Sequence, residues 1–474
     1  MPAGRWVAVP PGTRARVSCF NCRESKRSCD KSLPTCHLCR RKGIECHYPQ
    51  HRGQKNPSPI DEGLNVAAGR ASETTQHKKS QDLVNAHAIR FLAPDLFRDM
   101  NLQVPRLPWE MPAEIEAQLG GRQQMQETTK AFLQLTRSWM PIVNGKRHLA
   151  AVLNPLVPLR RPTALLALCM KLCCLSVDKV DEKRVLYGLV KKFYAEVESQ
   201  EDPCIQVIQS AVFIAVYEMG DAIFPAAYLT VGALARYGMA MGMDKINQDA
   251  LGKNCAAAAG ALWADIEEMR RVWWEALILD RFLNVSQPSR GLSTADPSFE
   301  DFLPVDDEFF YNQSSSAEHA TRISEGFTFK MGSFARLCQA MHLISKSLAL
   351  CRGASNGSEV SRDSPLEEVG QLCQTFSALE TLVQISTTLR EGGYELWQHL
   401  EDGRCSLFLV ELVYQGMLVL LRMGKVWLAA DVQSKKESLT WLLSHMGKRW
   451  PLVGVYKRIL EARESILAVE DALT

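Results

Sequence analysis

The stretch CFNCRESKRSCDKSLPTCHLCRRKGIEC, Cys19 to Cys46, packs six cysteines into 28 residues. Each half reads C-x2-C-x6-C, and six residues, Asp30 to Thr35, separate the halves. A structural zinc takes four thiolate or imidazole ligands in a tetrahedron, and a C-x2-C turn commonly supplies two of them. Six sulfurs are too many for one zinc and two short of the eight that two separate zincs need. Two zincs are satisfied if two sulfurs are shared, and the duplication nominates the first cysteine of each half, Cys19 and Cys36. One zinc would then take Cys19, Cys22, Cys29 and Cys36, the other Cys36, Cys39, Cys46 and Cys19. A redox C-x-x-C pair leaves both x6-C extensions unexplained, and a single four-cysteine ribbon leaves two thiols over. His37 and His47 adjoin ligand cysteines, but six thiolates complete the site, so both read as surface side chains.

Charge is distributed unevenly along the 474 residues. Residues 1–55 hold 12 Lys+Arg against 3 Asp+Glu, or +9, within a chain of net +2. The remainder is therefore mildly acidic. Six thiolates and two Zn²⁺ would leave the head at about +7. A basic head on an acidic body points to a polyanionic partner. The N-terminus MPAGRWVAVPPGTRARVSC holds no apolar stretch long enough for a signal peptide. The most membrane-like run, Leu407 to Leu421, is interrupted by Glu411 and Gln415 and reads as a buried helix. A reducing, intracellular setting follows, in which clustered cysteines are metal ligands rather than disulfides.

The spacing C-x2-C-x6-C-x6-C-x2-C-x6-C resembles the fungal six-cysteine binuclear zinc cluster, a DNA-binding module of transcription factors. Arg23, Lys26, Asp30 and Pro34 fall where that family's pattern places such residues. Ser28 departs from it, with Arg27 one position earlier than the usual basic residue. The resemblance implies two zinc ions on Cys19, Cys22, Cys29, Cys36, Cys39 and Cys46, and metal-driven folding of a segment too short to bury a core. A short helical turn is expected after Cys22 and another after Cys39, the second ended by Gly43. In the family the first helix enters the major groove and reads a CGG triplet, and the matching residue here is Lys26, whose ammonium can donate to guanine O6 and N7. Arg14, Arg16, Arg23, Arg27, Arg40 and Arg41 are the expected phosphate contacts, giving affinity and orientation.

Residues 49–82 are rich in Pro, Gly, Ser, Asn and Gln, hold no aromatic residue and show no heptad repeat, and so read as a flexible linker. From 83 onward the helical period dominates and long strand alternations are absent. ETTKAFLQLTRSWMPIV puts Phe132, Leu135 and Trp139 on one face, with Pro141 ending the helix. ALWADIEEMRRVWWEALILDRFLNV does the same for Trp263, Ile266, Trp273 and Leu277. The body resembles the fungal-specific transcription factor (middle homology) domain, most closely over RRVWWEALILDRFLNVSQPSRGLSTADPSFEDFLP, Arg270 to Pro304. The resemblance covers about 120–310. SFEDFLPVDDEFFY alternates acids with aromatics, a composition that suits either an exposed coactivator-binding segment or a folded one.

No phosphate-cradling glycine loop, nucleophile elbow or histidine metal spacing is present, so no enzyme is expected. Trp273 and Trp274 at helical spacing read as core, and Asp280–Arg281 as a structural ion pair. The fold class expected is a small metal-stabilised binuclear zinc head (15–48), a linker (49–82) and a large all-α helical regulatory domain (83–474). The function expected is nuclear, sequence-specific regulation of a metabolite biosynthetic gene cluster. Its partners would be double-stranded DNA, the transcription machinery or coregulators, and a second copy through the body, with no membrane. The alternative is a regulator of primary metabolism or stress response whose body senses a small molecule or protein.

Overall fold

The chain divides into two units, Met1–Asp82 and Leu83–Thr474. The structure, a computed structural model, describes residues 14–44, 46–49, 86–102, 104, 110–312, 316–325, 331–355, 379–391, 405–423 and 429–473. The expected linker beyond Pro49 lies outside the described residues, as does the serine- and glycine-rich stretch after Ser355. Among the described residues there are no strands, only two isolated bridges, Arg14 with Ser32 and Phe302 with Arg322.

The first unit contributes two short helices, α1 (Phe20–Glu24) and α2 (His37–Lys42). Its interior is made of sulfur: Cys19, Cys22, Cys36 and Cys39 are buried, with Cys29, Leu38, Cys46 and Tyr48 packed around them. So little apolar surface cannot hold a fold by burial alone, and a metal must supply the rest.

The second unit is all helical. A helix over 86–92 (α3) and α4 (Pro94–Asp99) lead into α5 (Ala113–Leu119), α6 (Arg122–Thr136), α7 (Gly145–Leu153), α8 (Arg161–Cys174) and α9 (Val180–Gln200). Next come α10 (Ile205–Gly220), α11 (Ala226–Ala240), α12 (Trp263–Val285), α13 (Asp307–Asn312) and α14 (Ser333–Ser355). A helix over 379–391 (α15) precedes α16 (Leu407–Met423), α17 (Ala429–Met446) and α18 (Leu452–Leu473). α10 is apolar on every side, as IQVIQSAVFIAVYEMG dictates, and is buried from Val207 to Gly220. It packs against α8, α9, α11 and α12. The C-terminal helices join this core through Trp450, whose ring meets Trp139 edge-on at 6.3 Å and whose Nε1 donates to the Cys405 carbonyl at 3.2 Å.

Two sequence readings change here. α6 stops at Thr136, before Trp139, and Leu135 is only half-buried, although Phe132 and Trp139 are core. α12 does not have one apolar face: it is buried all round from Ile266 to Phe282, charged residues included. Arg271 donates to Glu267 Oε1 (2.9 Å), Asp307 Oδ1 (2.8 Å) and the Val305 carbonyl (2.6 Å). Asp280 accepts from the Thr294 N–H (2.9 Å), and Arg281 donates to the Ala295 carbonyl (2.6 Å) and Ser345 Oγ (2.9 Å). The Asp280–Arg281 contact, 3.4 Å, is thus part of a clamp on the loop that follows the helix.

SFEDFLPVDDEFFY is folded into this frame: Leu303, Val305 and Phe310 are buried, and Trp274 Nε1 donates to the Phe302 carbonyl at 3.0 Å. α16 contains the Leu407–Leu421 run, and its Glu411 accepts from Ser286 Oγ at 2.8 Å and from the Tyr456 hydroxyl. No helix among the described residues is long and apolar enough to cross a membrane.

Candidate metal centre and nucleic-acid interface

The two halves of the head repeat one device. Cys19 and Cys36 have extended backbone (ψ 159° and 151°) and immediately precede α1 and α2. The second cysteine of each C-x2-C, Cys22 or Cys39, therefore lies one turn into the helix, and both sulfurs of the pair face the same side. Each helix begins after the first cysteine, three residues earlier than the sequence suggested, because that cysteine occupies the N-cap position. Cys36 Sγ accepts from the Cys39 N–H at 3.4 Å, and the Cys36 N–H donates to Cys46 Sγ at 3.3 Å. Gly43, at φ +65°, ends α2 as expected.

The sulfurs of Cys19, Cys22, Cys36 and Cys39 all lie within 4.8 Å of one another. Cys19 Sγ is 3.8 Å from both Cys36 Sγ and Cys39 Sγ, and Cys22 Sγ is 3.6 Å from Cys36 Sγ. Cys29 Sγ stands 3.9 Å from Cys19 Sγ. Four sulfurs at about 2.3 Å from a zinc form a tetrahedron with edges of about 3.8 Å. The spacing observed is that edge, so the donor set fits zinc in both chemistry and size. Burial pushes the Cys22 thiol up and that of Cys39 to about 12. Burial acts on Cys36 in the same sense, but donors from the Cys39 N–H and the neighbouring thiols prevail and bring it down to about 6.

Around the sulfurs, Tyr48 donates its hydroxyl to the Ser32 carbonyl at 2.8 Å and lies 3.9 Å from Cys29 Sγ. The Phe20 N–H donates to the His47 carbonyl at 2.9 Å, closing the last cysteine's strand of chain onto α1. Tyr48 was not singled out from the sequence; an aromatic two residues past the last cysteine is the signal that could have found it. Asp30 accepts from the His37 N–H at 2.9 Å and from the Ser32 hydroxyl. Burial opposes these bonds, but they hold its carboxyl below the usual range. His37 and His47 are exposed.

Arg14, Arg16, Arg23, Lys26, Arg27, Arg40 and Arg41 are all exposed, so one small unit presents seven cationic side chains to solvent. Lys26 is not on α1. It sits in the turn that closes the helix, at φ +51°, with its N–H donating to the Arg23 carbonyl at 3.3 Å. The structure brings the six cysteines together and leaves Trp273, Trp274 and Arg281 in the core of the other unit.

Two protein families match the chain: the Fungal Zn(2)-Cys(6) binuclear cluster domain over residues 17–55, and the Fungal specific transcription factor domain over residues 162–384. The chain is 35% identical over 146 residues to Transcription factor BOA15 of Botryotinia fuckeliana, covering 31% of this chain and 79% of that protein. It is 22% identical over 348 residues to the Notoamide biosynthesis cluster transcriptional coactivator notQ' of Aspergillus versicolor, covering 68% of this chain and 63% of the relative. It is 35% identical over 94 residues to the Pestheic acid cluster transcriptional regulator 2 of Pestalotiopsis fici, covering 19% and 17%. The chain thus spans less than two thirds of these last two proteins. No solved structure matches it.

Proposed function

The chain belongs to the fungal transcription factors that carry a Zn(2)-Cys(6) binuclear cluster, and from that premise we propose that it is a nuclear regulator of a metabolite biosynthetic gene cluster reading CGG-type triplets. Proteins of this family bind zinc and DNA and are not enzymes. The head, residues 15–48, holds two zinc ions on six thiolates, with Cys19 and Cys36 bridging. The observation that carries this reading is the set of sulfur separations of 3.6–3.9 Å, with Cys19 close to sulfurs of both halves. A tetrahedral edge recurring on both sides of the Cys19–Cys36 pair is what two zincs sharing those sulfurs require.

Lys26, presented on the turn after α1, donates to guanine acceptors in the major groove. Arg14, Arg16, Arg23, Arg27, Arg40 and Arg41 take phosphates. The body, from 83 onward, carries contacts to coregulators and any pairing with a second copy. The cluster role is supported by the notoamide and pestheic acid relatives, which are named as cluster regulators.

Binding titrations on duplexes with and without a CGG triplet test the reading. Lys26→Ala should erase the preference for CGG and leave salt-dependent non-specific binding. Arg41→Ala should weaken binding to every sequence and lower the salt slope by about one. Equal losses on both duplexes for both variants would refute the role given to Lys26. Transcript levels of genes adjacent to the locus after its deletion test the cluster role, and unchanged biosynthetic neighbours would count against it.

A further inference from the structure

The body contains a cleft of about 1060 Å³, at the upper end of the range of small-molecule sites. One wall is the entry segment, with Phe91 and Phe97; the other is Ile205, Met241 and Met269 at the ends of α10 and α11 and on α12. The run CAAAAGA, Cys255–Ala261, lines it with Ala257, Ala259 and Ala261. Side chains this small leave the space that larger ones would fill. Phe91 is 72% exposed although it lines the cleft, so an aromatic face stands uncovered there.

The charged and titratable groups on the lining are few: Asp265, Glu268, Arg90 and His87. Asp265 and Glu268, one turn apart on α12, both line the cleft. Among the described residues Arg147 is the cation that serves the two: it contacts Asp265 Oδ1 and stands 3.5 Å from Glu268 Oε2. Glu268 Oε1 is occupied by the Asn144 N–H (2.8 Å) and Gln209 Nε2 (2.9 Å), whereas Oε2 has only that long contact among the described residues. Arg90, also on the lining, is paired with Asp202 at 2.7 Å. Among the described residues the two carboxylates thus share one cation, and burial pushes the Glu268 carboxyl up from its ordinary value. Independently, Nε2 of His87, on the entry segment, is shielded from solvent and has no hydrogen-bond partner among the described residues.

We propose that this cleft binds a small, mainly apolar organic cation, a ring-bearing amine whose nitrogen meets Asp265 and Glu268 and whose ring lies against Phe91 and Phe97. The nitrogen supplies the missing positive charge, and the ring covers apolar surface that the chain leaves bare. The site belongs to the body alone, so the proposal stands or falls separately from the DNA reading of the head.

The test uses the full-length zinc-loaded protein and three probes of one shape: 1-naphthylmethylamine, 1-naphthalenemethanol and 1-naphthoate. Calorimetric titration should show the amine binding at one site, at least tenfold tighter than the alcohol, with the carboxylate weakest. Asp265→Asn retains the capping acceptor of α12 and should remove most of the amine's advantage. Phe91→Ala, at an exposed position, should weaken amine and alcohol alike, and Ala259→Phe should block both. Equal binding of all three probes, no binding of the amine, or amine binding indifferent to these substitutions would overturn the proposal. A photo-crosslinker at position 91 that captured residues 103–109 of the same chain would overturn it too, by giving the cleft an internal occupant.

Discussion

The main-chain N–H of His37 donates to Oδ1 of Asp30 at 2.9 Å, tying the residue after the third cysteine to the first residue of α2. The bond spans the junction between the two halves of the cysteine duplication. It fixes where α2 begins, and so where Cys36 and Cys39 present their sulfurs.

Asp30→Ala should loosen the second half of the head at a cost of about 1 kcal/mol, as for other losses of an acceptor at a helix start. Asp30→Asn, which keeps an acceptor, should restore most of it. Zinc release to a competing chelator reads the difference, and identical release rates for the three proteins would show the bond to be incidental.

Native mass spectrometry of residues 10–55 should find two zincs. Cys36→Ser should lose both, because that sulfur serves both metals, whereas Cys46→Ser should first loosen one. A wild-type fragment with one zinc and two alkylatable thiols would refute the shared-sulfur arrangement.

Residues 1–82 contain no heptad repeat to hold two heads in register, so this fragment should sediment as a monomer and bind one triplet weakly. Cooperative binding to paired triplets should require the body from 83 onward. A stable dimer of the short fragment would locate pairing before the body.

Gly220→Ala should destabilise the junction between α10 and the C-terminal helices by about 1–3 kcal/mol. A Cβ there would stand 2.3 Å from Trp450 Cε3, and that ring is held by Trp139 and the Cys405 carbonyl. Chemical denaturation measures the loss; a midpoint unchanged from wild type would mean the ring can yield freely.

Both carboxylate oxygens of Glu275 are buried without a partner among the described residues, and burial pushes its pKa well above the ordinary 4.5. The fold then keeps a proton that the unfolded chain loses above that value. Its contribution is fully present below pH 4.5 and falls by about 1.4 kcal/mol per pH unit until the raised pKa is passed. Glu275→Gln should flatten that part of the pH profile. Unfolding midpoints of both proteins at about pH 5.5 and about pH 8 give the comparison, and parallel profiles would show that Glu275 titrates normally.

The sulfur cluster was legible in the sequence because metal coordination is a local matter of spacing, and Cys19 to Cys46 carry it entirely. The starts of α1 and α2 were misjudged because the eye reads a helix from its basic residues, whereas the capping cysteine decides where it begins. The helical class of the body follows from the 3.6-residue period. The burial of α12 was hidden, since Glu267, Arg271 and Arg281 look like a solvent face until their partners at Val305, Ala295 and Ser345 are known. The cleft beside Phe91 was equally hidden, because its walls come from segments far apart in the chain.

The way α12 is held has a consequence for how the protein is made. When Val285 has just emerged from the ribosome, Arg271 can have met only Glu267 and the Pro141 carbonyl. Val305 and Asp307, and for Arg281 also Ala295 and Ser345, have not yet left the ribosome. Burying a guanidinium before its partners exist costs several kcal/mol, about 3–5 for a broken buried pair. Nascent chains that have exposed α12 but not the segment after it should therefore remain open to protease, while those that have exposed α14 should resist it. The body closes late in its own synthesis, when α14 arrives to meet a helix made some sixty residues earlier.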